Sequence, residues 1–418
     1  MVIHGGRRLE GEVSVSGAKN AALPILAAAL LAEGETVLHR VPQLSDIRVM
    51  RDILAGLGVR SVREGDSLTI DAAAITSVTV SEQLMRRMRA SVFLMGALLG
   101  RCGEVCVSYP GGCTIGPRPI DLHLKAFEKM GAQIEEEHGM LRLTASKLFG
   151  AEVQFDFPSV GATENAMLAA VLAEGVTILR NVAREPEVVD LQSFLVSMGA
   201  QIDGAGSDTI TIRGIKKLSP AEYTIQPDRI EAGTLLLAGC ISRGEIVLTD
   251  AVPNHLFAVI DKLREAGAKI TCTDHEIWLR AERLKSVDIK TLPYPAFPTD
   301  LQAPMMAFLA TAAGTGIVTE TIFENRFKQV DELVRMGAHI RVEGRSAVVR
   351  GVPMLTGTKV EAYDLRAGAS LVLAGLGAEG TTEITRVDYI DRGYEQIEEK
   401  LRQIKADIIR KKEIRSGG

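Results

Sequence analysis

Two kinds of apolar pattern alternate along the chain. Stretches rich in alanine and leucine, such as Ala21 to Ala32, predict helices, and each ends at a glycine that a β-branched, strand-like run follows at once. The pairs are Gly34 before ETVLHRV, Gly103 before EVCVSYP, Gly175 before VTILRNV, Gly244 before EIVLTDA, Gly314 before TGIVTETI and Gly380 before TTEITRV. Recurrence about every seventy residues is an internal repeat, which has to be settled before any fold is assigned. After each strand comes a second, amphipathic helix. It closes at Gly131, Gly199, Gly267 or Gly337 before alanine, and at Gly58 before valine in the first copy, where a left-handed cap is expected. A short strand (SLTID, MLRLTA, TITIRG, IWLRA, AVVRG) and a loop follow, then a strand that leads into the next alanine-rich helix.

The sixth copy differs twice. It has Lys405-Ala406 where the others have glycine, so its helix is expected to end differently or to continue, and it lacks a last strand. The first strand of the chain, GEVSVSG, is the missing piece and is predicted to pack against the C-terminal units. The chain is therefore expected to be α/β with two domains of three units each. One domain is discontinuous, residues 1–18 with 227–418, and the other, residues 19–226, carries Cys113. An open solenoid of six units is the alternative, but distinct polar end caps are lacking.

Composition narrows the function classes. The chain has 418 residues, 46% of them apolar and 24% charged, with a net charge of -5, an ordinary soluble balance that argues against a general nucleic-acid binder. Aromatics at 4% leave little for stacking bases. The start, MVIHGGRRLEGE, lacks the apolar core of a signal peptide, and the longest apolar run is broken by Pro24, so no membrane span is expected. Five scattered cysteines without a C-x-x-C pair point to a reducing cytoplasm and no structural zinc. With no metal cluster among seven histidines and no phosphate loop ending in Gly-Lys-Ser/Thr, neither metal nor ATP chemistry is expected.

The candidate chemistry begins at residues 110–121, PGGCTIGPRPID, whose glycines and prolines exclude a helix interior or central strand. Cys113 lies in this loop with Arg118 nearby, an environment that favours a thiolate. Each alanine-rich helix is also headed by unusual residues: Lys19-Asn20, Arg89, Ser159-Val160, Asp228-Arg229 with Glu231, Thr299-Asp300, and Arg366. Helix heads present open N–H groups and partial positive charge, so cations recurring there predict an anion-binding pocket in an acidic protein. Plainer readings stand beside this one. Asp300 also suits an N-cap, Lys19 a side chain snorkelling to solvent, and Arg229 an ion pair with Asp228 or Glu231.

With these residues in view the chain resembles the enolpyruvyl transferases over essentially its whole length. The resemblance rests on SGAKNAALPILAAALLAEG at the start, MRAS at 88–91, PGGCTIGPRPIDLH at 110–123, AREPEVVD at 183–190, PDRIEAGT at 227–234, PAFPTDLQA at 295–303, FENRF at 323–327, DLRAGASLVLAG at 364–375 and DRGYE at 391–395. It implies an inside-out α/β barrel of two domains, each with three β-α-β-α-β-β units. The implied reaction passes the enolpyruvyl group of phosphoenolpyruvate to the 3'-hydroxyl of UDP-N-acetylglucosamine, with release of phosphate and no cofactor.

Carried over by position, the resemblance makes Cys113 the donor of a proton to C3 of phosphoenolpyruvate, able to form a covalent pyruvate-derived adduct, and Asp300 the acceptor of the hydroxyl proton. Lys19, Asn20, Arg118, Arg366 and Arg392 become phosphoenolpyruvate residues, with Lys19 and Arg392 also catalytic. Arg89, Arg118, Pro119, Ile120, Asp121, Leu122, Ser159, Val160, Asp300 and Ile322 fall where the nucleotide sugar is held. Asp364, Arg229 and Glu231 are supporting residues. The partners implied are these two small molecules, neither nucleic acid nor membrane, and the oligomeric state stays open. The sister reaction on shikimate 3-phosphate is the nearest rival. Cys113 and the Lys19-Asn20 pair favour the amino sugar, since the sister enzymes have no such loop cysteine and read Lys-Ser. A silent repeat protein that only binds nucleotide sugars would not need Cys113, Asp300 and Arg392 together.

Overall fold

The structure, a computed structural model, describes residues 1–109 and 119–411; Cys113 and Arg118 lie outside the described residues. The fold is mixed α/β and separates into two compact units, residues 1–16 with those from Pro227 onward, and residues 17–226. Each unit has its own hydrophobic core.

Three alanine-rich helices run through the core of each unit. In the unit of residues 17–226 these are α1 (Lys19–Ala28), α2 (Phe93–Cys102) and α3 (Val160–Ala170), packed against one another. In the other unit they are α4 (Arg229–Ile241), α5 (Gln302–Leu309) and α6 (Leu365–Leu376), likewise in mutual contact. They are buried along most or all of their length: in α1 all residues but Asn20, in α4 all but Arg229, in α6 all but Leu365, and in α2 all but the last three. A helix with no solvent face needs small apolar residues all round instead of a stripe, which explains the alanine and glycine content. The amphipathic helices, for example Ser45–Gly56 and Asp121–Lys129, keep one polar face.

The sheets repeat one plan. Glu35–His39 pairs antiparallel with Ser67–Asp71, which pairs antiparallel with Arg60–Glu64, while Glu222–Thr224 runs parallel on its other side. The plan recurs around Val176–Arg180, Glu245–Thr249 and Thr315–Thr319. Around Glu104–Ser108 the sheet has three strands, and a single bridge from Thr79 to Cys106 stands in for the parallel one.

The N-terminal segment supplies two strands, where one was expected. β2 (Glu10–Ser14), the expected one, runs parallel beside Glu245–Thr249 as the leading strand of that sheet. β1 (Val2–His4) lies antiparallel between Thr381–Thr385 and Asp407–Ile409, with Ile3 opposite Thr382 and Ile408. It takes the place that the second hairpin strand fills in the other copies.

The last amphipathic helix, Ile397–Gln403, ends as the other five do. In each, the first residue past the turn donates its N–H three residues back and the next donates five back, as in Gly131 to Glu128 and Ala132 to Phe127. Lys405 makes the same bonds, to Arg402, with Ala406 bonded to Leu401, and adopts the left-handed conformation itself at φ +71°. Its helix therefore neither continues nor ends differently.

Ile3 is fully buried in a strand of only three residues, so its side chain anchors a segment with few other contacts. Ile3→Ala should lower the unfolding free energy by about 3 kcal/mol. Val342→Ala, on an exposed position of His339–Glu343, should cost under about 0.5 kcal/mol. Urea denaturation of both variants checks this.

Candidate active site

In the unit of residues 17–226, Lys19 opens α1, and its side chain is buried instead of snorkelling to solvent. Its ammonium lies 2.8 Å from a carboxylate oxygen of Asp46, which is buried in the first turn of Ser45–Gly56. An ammonium in such a place is tolerable only with a partner, because removing one member of a buried pair leaves an uncompensated charge. Asn20 is half-buried beside it.

Arg89 heads the short turn Arg89–Val92 that feeds α2 and is half-buried. Ser159 caps α3, its hydroxyl accepting from the Ala162 N–H at 3.3 Å, and Val160 is half-buried at the first helical position. Pro119 and Asp121 are exposed, Leu122 is half-buried and Ile120 is buried, where helix Asp121–Lys129 begins.

Carboxylates of α3 and of the helix Pro186–Ser197 lie close to one another. Glu164 is buried with neither carboxylate oxygen hydrogen-bonded among the described residues, and burial, reinforced by Glu187, pushes its carboxyl well above the usual range. Asp190, in the AREPEVVD segment, is raised to about 6 by burial. The Tyr223 hydroxyl at 2.6 Å and the Gln226 N–H at 3.3 Å partly offset that rise.

In the other unit, Asp300 lies in the turn Thr299–Leu301 ahead of α5. It does not cap the helix. Its two oxygens are taken by two guanidinium groups, Arg326 at 2.7 Å and Arg366 at 2.8 Å, both nearly fully buried. Burial alone would raise the Asp300 carboxyl, but the charges of Arg366 and Arg326 and their hydrogen bonds hold it well below the usual carboxylate range. Arg326 also donates to the Thr299 hydroxyl at 3.0 Å, which donates to Glu320 at 2.8 Å. Glu320 in turn accepts the Ile322 N–H at 2.8 Å, so Ile322 and Asp300 share one bonded chain.

Arg366 lies 5.3 Å over the Tyr394 ring, and its Nη1 group, buried, has no hydrogen-bond partner among the described residues. The Arg366 N–H is capped by Asp364 at 2.8 Å. Asp228 caps α4 through the Ile230 and Glu231 N–H groups. Arg229 stacks over Tyr294 at 5.5 Å. Glu231 bonds Lys400 at 2.9 Å and the Ser16 N–H at 2.6 Å, where the chain leaves this unit. Arg392 closes the turn Val387–Arg392 and is half-buried.

Asp46, Arg326 and Lys400 were not singled out from the sequence. Asp46 reads there as an ordinary first-turn acid and Lys400 as a surface lysine. Arg326 carries a signal, since it sits in FENRF, but no spacing links it to Asp300.

The chain is similar to known proteins over almost all of its length. The family model for EPSP synthase (3-phosphoshikimate 1-carboxyvinyltransferase) matches residues 3–401. UDP-N-acetylglucosamine 1-carboxyvinyltransferase 2 of Caldanaerobacter subterraneus subsp. tengcongensis is 53% identical over 410 residues, covering 98% of each chain. UDP-N-acetylglucosamine 1-carboxyvinyltransferase 1 of Symbiobacterium thermophilum is 55% identical over 417 residues, covering 98% of this chain and 94% of that one. Among solved structures, the enolpyruvyl transferase NikO from Streptomyces tendae matches with a TM-score of 0.87 and 27% identity, over 97% of each chain. EPSP synthase from Acinetobacter baumannii shares the fold, with a TM-score of 0.74 and 20% identity over 96% of this chain and 97% of that one.

The raised carboxyl of Asp190 has a definite sign. The folded state binds its proton more tightly than the unfolded chain, so the stability it contributes is complete below about pH 4 and is lost as pH rises to about 6. Asp190→Asn should remove roughly 3 kcal/mol of that decline, measured as the difference in unfolding free energy between pH 4 and pH 7. An unchanged slope would contradict it.

Proposed function

The chain belongs to the EPSP synthase family of enolpyruvyl transferases, and from this premise we infer that it passes the enolpyruvyl group of phosphoenolpyruvate to the 3'-hydroxyl of UDP-N-acetylglucosamine, releasing phosphate. This is the first committed step of peptidoglycan synthesis. The full-length likeness to UDP-N-acetylglucosamine 1-carboxyvinyltransferases is the single observation that carries the choice of acceptor.

In the reaction, C3 of phosphoenolpyruvate gains a proton and C2 becomes electrophilic. The sugar oxygen bonds to C2 as its hydroxyl proton leaves. The tetrahedral intermediate then loses a proton from C3 and the phosphate group from C2, restoring the double bond. We assign the first proton to Cys113 and removal of the hydroxyl proton to Asp300, with Lys19, Asn20, Arg118, Arg366 and Arg392 on phosphoenolpyruvate. Arg89, the stretch 118–122, Ser159, Val160 and Ile322 take the nucleotide sugar, and Asp364, Arg229 and Glu231 support these groups. Side chains are thereby assigned to the first two proton transfers, and we infer a reaction without metal or cofactor.

The arginine pair gives this assignment a physical basis. Asp300 clamped by two guanidinium groups is ionised and oriented, but it is a weak base, and a base works best with a pKa near the working pH. Among the described residues, nothing accepts a hydrogen bond from Nη1 of Arg366. A phosphate or carboxylate drawn to Arg366 shares its charge, loosens its hold on Asp300 and makes the carboxylate more basic when the donor substrate is present. Asp46 restrains Lys19 in the same manner until an anion competes for it.

The repeated strand plan and the buried helices support reading each unit as three β-α-β-α-β-β repeats, the plan of an inside-out α/β barrel. Among the described residues no helix is long and apolar enough to cross a membrane. We place the protein in the cytoplasm, in keeping with its scattered cysteines.

Purified protein given phosphoenolpyruvate and UDP-N-acetylglucosamine should release phosphate, and none when the sugar nucleotide is omitted or replaced by shikimate 3-phosphate. Asp300→Asn should lower kcat by about 100-fold or more. Release with shikimate 3-phosphate would move the assignment to the sister reaction.

A further inference from the structure

One polar side chain lies deep inside the core of the unit of residues 17–226. Asn165, fully buried in α3, makes three bonds to two other segments. Its Oδ1 accepts the Gly96 N–H at 2.8 Å, and its Nδ2 donates to the Val92 carbonyl at 2.8 Å and to Nδ1 of His123 at 2.9 Å. Gly96 N–H and Val92 C=O stand four residues apart in sequence, so the carboxamide is laid across the first turn of α2. The contact leaves no room for a side chain at Gly96, where a Cβ would lie 2.3 Å from the Asn165 backbone oxygen.

The two backbone bonds fix which end of the amide is oxygen and which is nitrogen, because an N–H needs an acceptor and a carbonyl needs a donor. With the amide so fixed, His123 must offer Nδ1 as an acceptor, and its ring is neutral with the proton on Nε2. His123 is itself buried, in the first turn of helix Asp121–Lys129, and its ring lies against Gly161, where a Cβ would come within 3.3 Å of it.

The segments joined here are the ones assigned to the nucleotide sugar. Val92 ends the turn that Arg89 begins, His123 follows Pro119 to Leu122, and Asn165 lies in the helix that Ser159 caps. We propose that Asn165 and His123 form a positioning pair that sets the spacing of these three segments and thereby the affinity for UDP-N-acetylglucosamine. The proposal rests on the assigned acceptor. The pair sits behind the binding residues and acts through them, and a polar pin gives a fixed geometry that an apolar contact of the same size does not, since its bonds have direction.

The test compares steady-state kinetics and melting of wild type, His123→Leu and His123→Asn. The leucine removes the acceptor, whereas the asparagine can set its Oδ1 where Nδ1 stood. His123→Leu should raise KM for UDP-N-acetylglucosamine about tenfold, the effect of one buried bond left unmade, with KM for phosphoenolpyruvate and kcat changed about threefold or less. His123→Asn should return KM for the sugar to within about threefold of wild type. A folded His123→Leu protein with wild-type KM for the sugar overturns the proposal, as does an equal change in both KM values with no recovery in His123→Asn. Where His123→Leu does not fold, His123→Asn decides alone, and a tenfold rise in its KM for the sugar refutes the pair. A wild-type protein that releases no phosphate overturns the assigned activity instead, so the two failures are distinct.

Discussion

A helix buried along nearly its whole length presents charge most readily at its ends, and a charge placed there needs a partner from another segment. The six alanine-rich helices are under this constraint, and the polar architecture follows from it. Lys19 finds Asp46, Glu231 finds Lys400 and the Ser16 N–H, and Asp300, just ahead of α5, finds two arginines. Leaving one such charge alone costs about 3–5 kcal/mol, so each pair is held firmly until something of like charge competes for a member. In the body of α3, Glu164 is buried with its carboxyl pushed well above the usual range, while the Asn165 amide beside it is satisfied by a neighbouring backbone turn and an imidazole.

The same repetition creates a topological debt at the chain ends, which the N-terminal segment settles. β1 fills the hairpin position in the last sheet and β2 the leading position beside Glu245–Thr249, so both sheets have four strands. In the other unit Glu222–Thr224 returns to lead the sheet of Glu35–His39. Sheets completed by distant segments expose fewer unpaired edges, the usual weakness of short strands.

The repeat was legible in the sequence because glycine marks backbone positions few other residues adopt. Gly131, Gly199, Gly267 and Gly337 all have φ near +90° to +106°, so their spacing records geometry. The sixth cap escaped that reading because Lys405 takes the left-handed conformation without being glycine. β1 escaped because three residues carry no periodicity, and its place is visible only once its neighbours are known. The helix heads were legible as positions, since charge recurred at one slot. Their partners were not, because Asp46, Arg326 and Lys400 come from segments whose proximity only the fold creates. Asp300 also suited an N-cap, and the arginines on both its oxygens decide otherwise. Cys113 and Arg118 lie outside the described residues, so their part rests on the motif.

Asp300 is held ionised by its arginines, and under the proposed function the binding of an anion to one of them governs its basicity. The direct measurement is the pH dependence of kcat/KM for the nucleotide sugar in wild type and Arg326→Gln. The wild-type profile should show no acid limb from Asp300 between about pH 5 and 8, since the carboxyl lies well below the usual range. Removing one guanidinium should bring such a limb up into the accessible range. Identical profiles for the two proteins, or a wild-type limb near pH 6 that Arg326→Gln leaves in place, would contradict the account.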